Sequence, residues 1–128
     1  MDFEWSVLSS KSVPDAAAAV EAALAERKFT VLWGLDVNAT LEKKGLGLDR
    51  TVRILEVCSA PRAKHAIETN PDVAYFLPCK IVVRSEAEGS RIGMARPTLM
   101  MAVLGDERLK ELADEVEAVL AEAIQAAK

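Results

Sequence analysis

The alternation of apolar and polar positions predicts five strands and three helices, of which the second is short. The strands are expected over residues 3–8, 30–37, 50–58, 79–85 and 90–96. One helix begins after Ser12 and runs to about Lys28, and a second lies between Pro61 and Asn70. A third helix begins after Asp106 and carries an apolar stripe through the C-terminal segment. A capped helical turn is expected within residues 38–48.

These elements predict one α+β domain over residues 1–128. Their order is βαββαβ followed by βα, and the first six match the split βαβ, or ferredoxin-like, arrangement. We therefore expect a two-layer sandwich, in which an antiparallel sheet carries its helices on one face. In that topology the third and fourth strands run parallel, with another strand between them.

Each strand also has a predicted core face. The following residues are expected to face the helices: Phe3, Trp5, Val31, Trp33, Ile54, Ile81, Val83, Ile92 and Met94. The opposite face would then hold Leu8, Leu32, Leu55, Val57 and Val82 beside Arg53, Lys80, Arg84 and Arg91. An apolar residue on most strands of an uncovered face predicts a partner, and a second copy of the chain is the simplest. The alternative is that the segment from Pro97 onward folds back over this face.

Composition narrows the class of protein. The chain has 128 residues, of which 51% are hydrophobic and 28% are charged, enough apolar material for one folded core. A net charge of −4 argues against a dedicated nucleic-acid binder. No apolar run approaches the length of a membrane span, and the acidic N-terminus does not fit a signal peptide. Two cysteines favour a reducing compartment, so we expect a cytoplasmic protein.

The most distinctive stretch runs from Val57 to Arg84. It contains Cys58-Ser59-Ala60-Pro61, then Asn70-Pro71, then Leu77-Pro78-Cys79 opening a valine-rich strand. This stretch resembles the domain of unknown function family numbered 302, whose pattern has Cys-Asn-Pro opening a short helix and Leu-Pro-Cys opening a strand. The resemblance implies a small α+β domain that is often dimeric, and it implies no activity. Ser59 and Ala60 depart from the family's Asn and Pro, which puts any role of that Asn in doubt.

Cys58 ends a strand just before a helix N-terminus, where backbone N–H groups and Arg62 could stabilise a thiolate. It also shares a face with Ile54, so a small buried residue is the favoured interpretation. The candidate ligand or thiol site is Cys58, Ser59, Arg62 and Cys79. In the predicted topology Cys58 and Cys79 lie at opposite edges of the sheet, too far apart for a disulfide.

No other residue pattern supplies a catalytic set, a metal site or a cofactor site. His65, the only histidine, is expected to point to solvent, nearly opposite the core stripe of its helix. Met94, Met100 and Met101 could join Cys79 in a soft-metal site, but methionines near apolar residues are more often core filler. The leading hypothesis is a non-enzymatic dimeric module that binds a small ligand or a partner. The alternative is a thiol-dependent redox or soft-metal-binding protein acting through Cys58 or Cys79.

Overall fold

The computed structural model describes residues 2–128. The strands are β1 (Glu4–Ser9), β2 (Thr30–Asp36), β3 (Val52–Cys58), β4 (Cys79–Glu86) and β5 (Gly89–Ala95). The helices are α1 (Val13–Glu26), α2 (Val37–Glu42), α3 (Ala60–Thr69), α4 (Pro97–Ala102) and α5 (Lys110–Ala127), with 3-10 turns at Pro71–Phe76 and Glu107–Leu109. The predicted order of the main elements along the chain is confirmed.

The helix starts follow side-chain capping. The Ser12 hydroxyl accepts a hydrogen bond from the Asp15 amide at 3.3 Å, and Asp106 caps the 3-10 turn that leads into α5. The helical turn expected after residue 38 begins earlier, because Asp36 is its cap and bonds the Ala39 amide at 3.0 Å. The short α4 was not predicted, since its six residues are too few for a periodic pattern to show.

The five strands form one sheet in the order β1-β5-β4-β3-β2, and every neighbouring pair is antiparallel. Helices α1 and α5 pack on one face, so the predicted α+β two-layer sandwich is confirmed. The split βαβ, or ferredoxin-like, topology is wrong, because β3 and β4 are adjacent antiparallel strands and are not parallel strands separated by another. Helix α3 buries only Ala66 and packs on the 3-10 turns, so it does not cross the sheet as a connection between parallel strands would.

The main core lies between the sheet and the pair α1 and α5. Its fully buried large side chains are Val20, Leu24, Val57, Ile81, Val83, Ile92, Leu120 and Ile124. The expected apolar stripe of α5 is therefore in the core, with Leu112 and Val116 half-buried nearer its N-terminus. The alternative in which the segment from Pro97 covers the other face is wrong, because α5 packs against α1 and β1 on the core side.

Two strands turn their side chains differently from the prediction. In β3, Leu55 and Val57 are buried in the core, whereas Ile54 takes the uncovered face. In β2 the register shifts between Val31 and Trp33, and this bulge leaves Trp33 57% exposed instead of facing the helices. Phe3 lies outside β1 and is also exposed.

Within residues 2–128, the helices α1 and α5 pack on one face of the sheet only, and we call the opposite face the open face. Leu8, Lys80, Val82, Arg84 and Arg91 lie on it as expected. Arg53 does not, because its register partner is the buried Val83. In the part of the chain that the structure describes, no helix has the length and hydropathy needed to span a membrane.

Truncation of Leu120 to alanine should lower the free energy of unfolding by about 3 kcal/mol, because this fully buried side chain fills the core between α5 and the sheet. Leu46→Ala is the matched control, since Leu46 is 57% exposed and its loss should cost less than about 0.5 kcal/mol. Urea denaturation of both variants measures the difference. Equal stabilities would contradict the placement of α5.

Candidate functional site

The pairing of β3 with β4 brings the two cysteines together. Val57 is the register partner of Cys79, so Cys58 lies one residue from the position directly opposite Cys79. Strand spacing and rise place the two Cα atoms about 6 Å apart. The prediction that these cysteines lie at opposite edges of the sheet is therefore wrong, and both thiols are free.

Both cysteines line a small cavity of about 40 Å³ at the end of the sheet, which we call the sulfur cavity. Its wall is formed mostly by apolar side chains from both core clusters. The lining residues are Phe29, Val57, Cys58, Ser59, Arg62, Ala63, Ala66, Leu77, Cys79, Pro97, Met101, Leu109, Leu112, Ala113 and Val116. All four residues of the predicted candidate site lie in this wall.

Arg62 is held on the cavity wall by three partners. Its guanidinium donates to the Ser59 hydroxyl at 3.3 Å and to the Glu115 carboxylate at 2.6 Å, and it lies over the Phe29 ring, 5.3 Å from the centroid. Ser59 is buried at the N-cap position of α3, yet its side chain bonds no helix amide. The one hydroxyl and the one guanidinium of the wall are thus bound to each other.

Burial dominates the electrostatics of the two thiols. Burial raises the pKa of the Cys58 thiol above its usual value. The pKa of Cys79 rises to about 11, mainly through burial and further through the charges of Cys58 and Glu56. Both thiol pKa values are therefore raised, whereas stabilisation of a thiolate by a helix N-terminus and Arg62 would lower them. Cys58 itself is half-buried, and not fully buried as the favoured interpretation expected.

The histidine and the methionines that the sequence offered as candidates lie in different environments. His65 is exposed, as expected. Met94 is core filler, whereas Met101 lines the sulfur cavity with both cysteines. Among residues 2–128, no group of three or more His, Cys, Asp or Glu side chains could hold a metal ion.

An apolar groove of about 500 Å³ adjoins the sulfur cavity and shares Leu77, Cys79, Pro97 and Met101 with it. Its outer wall includes the exposed Trp33 and the Tyr75 side chain, which is 86% exposed. Sequence reasoning missed Phe29 and this groove, and it favoured a core-filling role for Met101, which lines the sulfur cavity. The available signal was the run Tyr75-Phe76-Leu77-Pro78-Cys79, in which aromatic residues directly precede the second cysteine.

The fold and the site define a small α+β domain with a two-cysteine cavity at one end of its sheet. The family model described as Domain of unknown function DUF302 matches residues 5–127, and the chain belongs to this family. It is similar to the crystal structure of uncharacterized conserved protein DUF302 from Bacillus stearothermophilus, with 34% identity, a TM-score of 0.95 and coverage of 100% of both chains. The comparison with curated proteins found no match.

Alkylation of the native protein should modify Cys58 before Cys79. The thiolate is the reactive form, so a raised pKa moves labelling to higher pH, and Cys79 should reach its half-maximal rate only near pH 11. Iodoacetamide labelling from pH 7 upward, with each cysteine quantified by peptide mass spectrometry, measures this order. The Cys58→Ser and Cys79→Ser variants assign the two curves, and faster labelling of Cys79 would contradict the expectation.

Proposed function

We propose that the protein is a non-enzymatic binding module that works as a homodimer and holds a small ligand in the sulfur cavity. The observation that carries the proposal is an apolar cavity of about 40 Å³ whose wall contains two thiols, a hydroxyl and a guanidinium. This volume has room for about three water-sized groups, well below what a drug-sized molecule needs. The ligand we propose is therefore an ion or a molecule of a few heavy atoms.

The arrangement of the polar groups supports binding rather than catalysis. Arg62 is already fixed by Ser59, Glu115 and Phe29, so a ligand meets a wall that needs no reordering. Both thiols have raised pKa values, so neither is poised as a nucleophile near neutral pH.

Xenon is a suitable probe of the cavity, because it is apolar and small enough for such a volume. Under xenon pressure the wild-type protein should show chemical-shift changes centred on Ala66, Met101 and Ala113. The Ala66→Leu variant, which adds a side chain into the cavity, should lose them. Two-dimensional NMR spectra under xenon and under the same pressure of nitrogen measure the effect.

The control is Ala126→Leu, which adds the same volume on the exposed side of α5 and should respond as the wild type does. If Ala66→Leu does not fold, Ala63→Leu fills the same cavity from the same helix. A wild-type protein without xenon-dependent shifts at these residues would refute the proposal that the cavity takes up ligands.

The open face supports the homodimer. Leu8 is 59% exposed on it, and Val82 lies at its centre with no helix above it. Such apolar groups on an uncovered face favour a partner. The family resemblance also implies a chain that is often dimeric.

The charges of the open face favour a second copy of the chain as that partner. Three acidic residues, Glu4, Glu56 and Glu86, stand among three basic residues, Lys80, Arg84 and Arg91. Glu56 pairs with Lys80, and Glu86 pairs with Arg91 at 3.0 Å and with Arg84 at 3.8 Å. Glu86 is therefore already paired with basic residues of its own chain. A face with equal numbers of both charges meets its own copy without net repulsion, and it suits a polyanion such as nucleic acid poorly.

Sedimentation equilibrium at micromolar concentration should give twice the monomer mass of 13.9 kDa. Val82→Asp should give the monomer mass, because it puts an unpaired charge in the middle of the proposed interface. Val103→Asp is the control: Val103 is 72% exposed and lies outside the sheet, so this variant should remain dimeric. A monomeric wild type, or a dimeric Val82→Asp variant, would refute the homodimer.

A second candidate function is reversible thiol–disulfide exchange between Cys58 and Cys79. Their positions on adjacent strands favour it, since the expected Cα separation of about 6 Å lies in the range of disulfides. In that reaction a small-molecule disulfide accepts two electrons and is released as two thiols, while the two cysteines lose their protons and form one S–S bond. The raised pKa values of both thiols make it the weaker candidate.

A further inference from the structure

We infer that the sulfur cavity is a site for one soft monovalent cation, Cu(I), bound by the Cys58 and Cys79 thiolates and the Met101 thioether. The inference rests on the proposed function in one respect, namely that the ligand occupies this cavity. It adds the chemical identity of the ligand and a third sulfur donor.

Three separate elements bring the three sulfur-containing residues to the lining of one cavity. Cys58 ends β3, Cys79 begins β4, and Met101 lies in α4, yet all three line the same cavity. Cys58 and Met101 are 43 positions apart in sequence, with Cys79 between them. The antiparallel pairing of β3 with β4 brings the cysteines close, and the position of α4 adds Met101. The two other nearby methionines differ, since Met94 is in the main core and Met100 faces the neighbouring groove.

The size and composition of the cavity match such an ion. A volume of about 40 Å³ between the wall residues holds a single cation but is too small for that cation with a complete hydration shell. Thiolate and thioether ligands select Cu(I), which is soft, whereas Zn²⁺ in structural sites takes four ligands of nitrogen or sulfur. Two thiols and one thioether therefore fit Cu(I) better than Zn²⁺.

The protons and charges balance without an electron transfer. Two S–H bonds break, two Cu–S bonds form, and the two protons pass to the solvent, while the thioether donates a lone pair and keeps its charge. The bound group then carries a net charge of −1. Arg62 is on the same wall with its opposite charge, and the Ser59 hydroxyl beside it supplies a further polar contact. Glu115 also binds Arg62 and partly neutralises its charge from the more exposed side. Glu56 is a second carboxylate, and its negative charge acts on Cys79.

The test is an anaerobic titration of the reduced protein with Cu(I) in competition with a chromophoric Cu(I) chelator. The wild type should bind one Cu(I) per chain with thiolate-to-metal absorption in the near ultraviolet. Cys58→Ser and Cys79→Ser should each weaken binding by about a hundredfold or more, and Met101→Leu by about tenfold. X-ray absorption should find only sulfur around the metal, with one Cu–S path fewer in Met101→Leu.

Met100→Leu is the matched control, because it makes the same change one residue away in a side chain outside the cavity wall, and it should bind as the wild type does. If a serine variant does not fold, Ala66→Leu tests the site by obstruction and should also lose the bound Cu(I). Unchanged affinity in Cys79→Ser, equal losses in Met100→Leu and Met101→Leu, or nitrogen or oxygen ligands in the absorption data would overturn the inference.

The xenon and Cu(I) experiments distinguish failure of the small-ligand proposal from failure of the Cu(I) proposal. Xenon uptake by a protein that binds no stoichiometric Cu(I) would refute the metal site and leave a small-ligand module. Absence of both would refute the cavity as a binding site. Tight Cu(I) binding that survives Ala66→Leu would place the metal elsewhere and overturn this inference.

Discussion

The antiparallel pairing of β3 with β4 is the constraint on which the rest of the structure depends. Its register sets Leu55 opposite Ile81 and Val57 opposite Cys79, which puts the two strands' buried residues on one face. The same register brings the end of β3 beside the start of β4, and so it places both cysteines at one end of the sheet. A shift by one residue would move all of these side chains to the other face. The register of β3 with β4 therefore determines both the core and the candidate site.

This pairing could not be deduced from periodicity alone, and the reason lies in β3. Residues Ile54, Leu55 and Val57 are apolar on both faces of the strand, so alternation offers two equivalent assignments. The bulge in β2 has a similar effect, because it changes the phase of the pattern between Val31 and Trp33. By contrast, α5 carries one apolar stripe, and in β4 the charged Lys80 and Arg84 mark the face opposite Ile81 and Val83 although Val82 lies there too, so the buried faces of both elements were predicted.

The connection between β3 and β4 held a signal that the prediction did not use. Helix α3 reads Ala-Pro-Arg-Ala-Lys-His-Ala-Ile-Glu-Thr, and its only large apolar residue, Ile67, is 42% exposed. A helix that crosses from one parallel strand to another must cover the sheet with an apolar face. Helix α3 has no such face, so it had to remain at the end of the sheet and return the chain to the adjacent strand.

The candidate site arises where two packed regions meet incompletely. The main core ends near Phe29 and Val57, and a second cluster of Ala66, Val73 and Leu109 begins on the far side of the cavity. Ala63 and Ala66 of α3 and Ala113 of α5 lie at this boundary, and their short side chains do not fill it. An unfilled volume of about 40 Å³ costs roughly 1 kcal/mol of stability. If a ligand binds there as we propose, its contacts would offset this cost and would also stabilise the β3–β4 end of the fold.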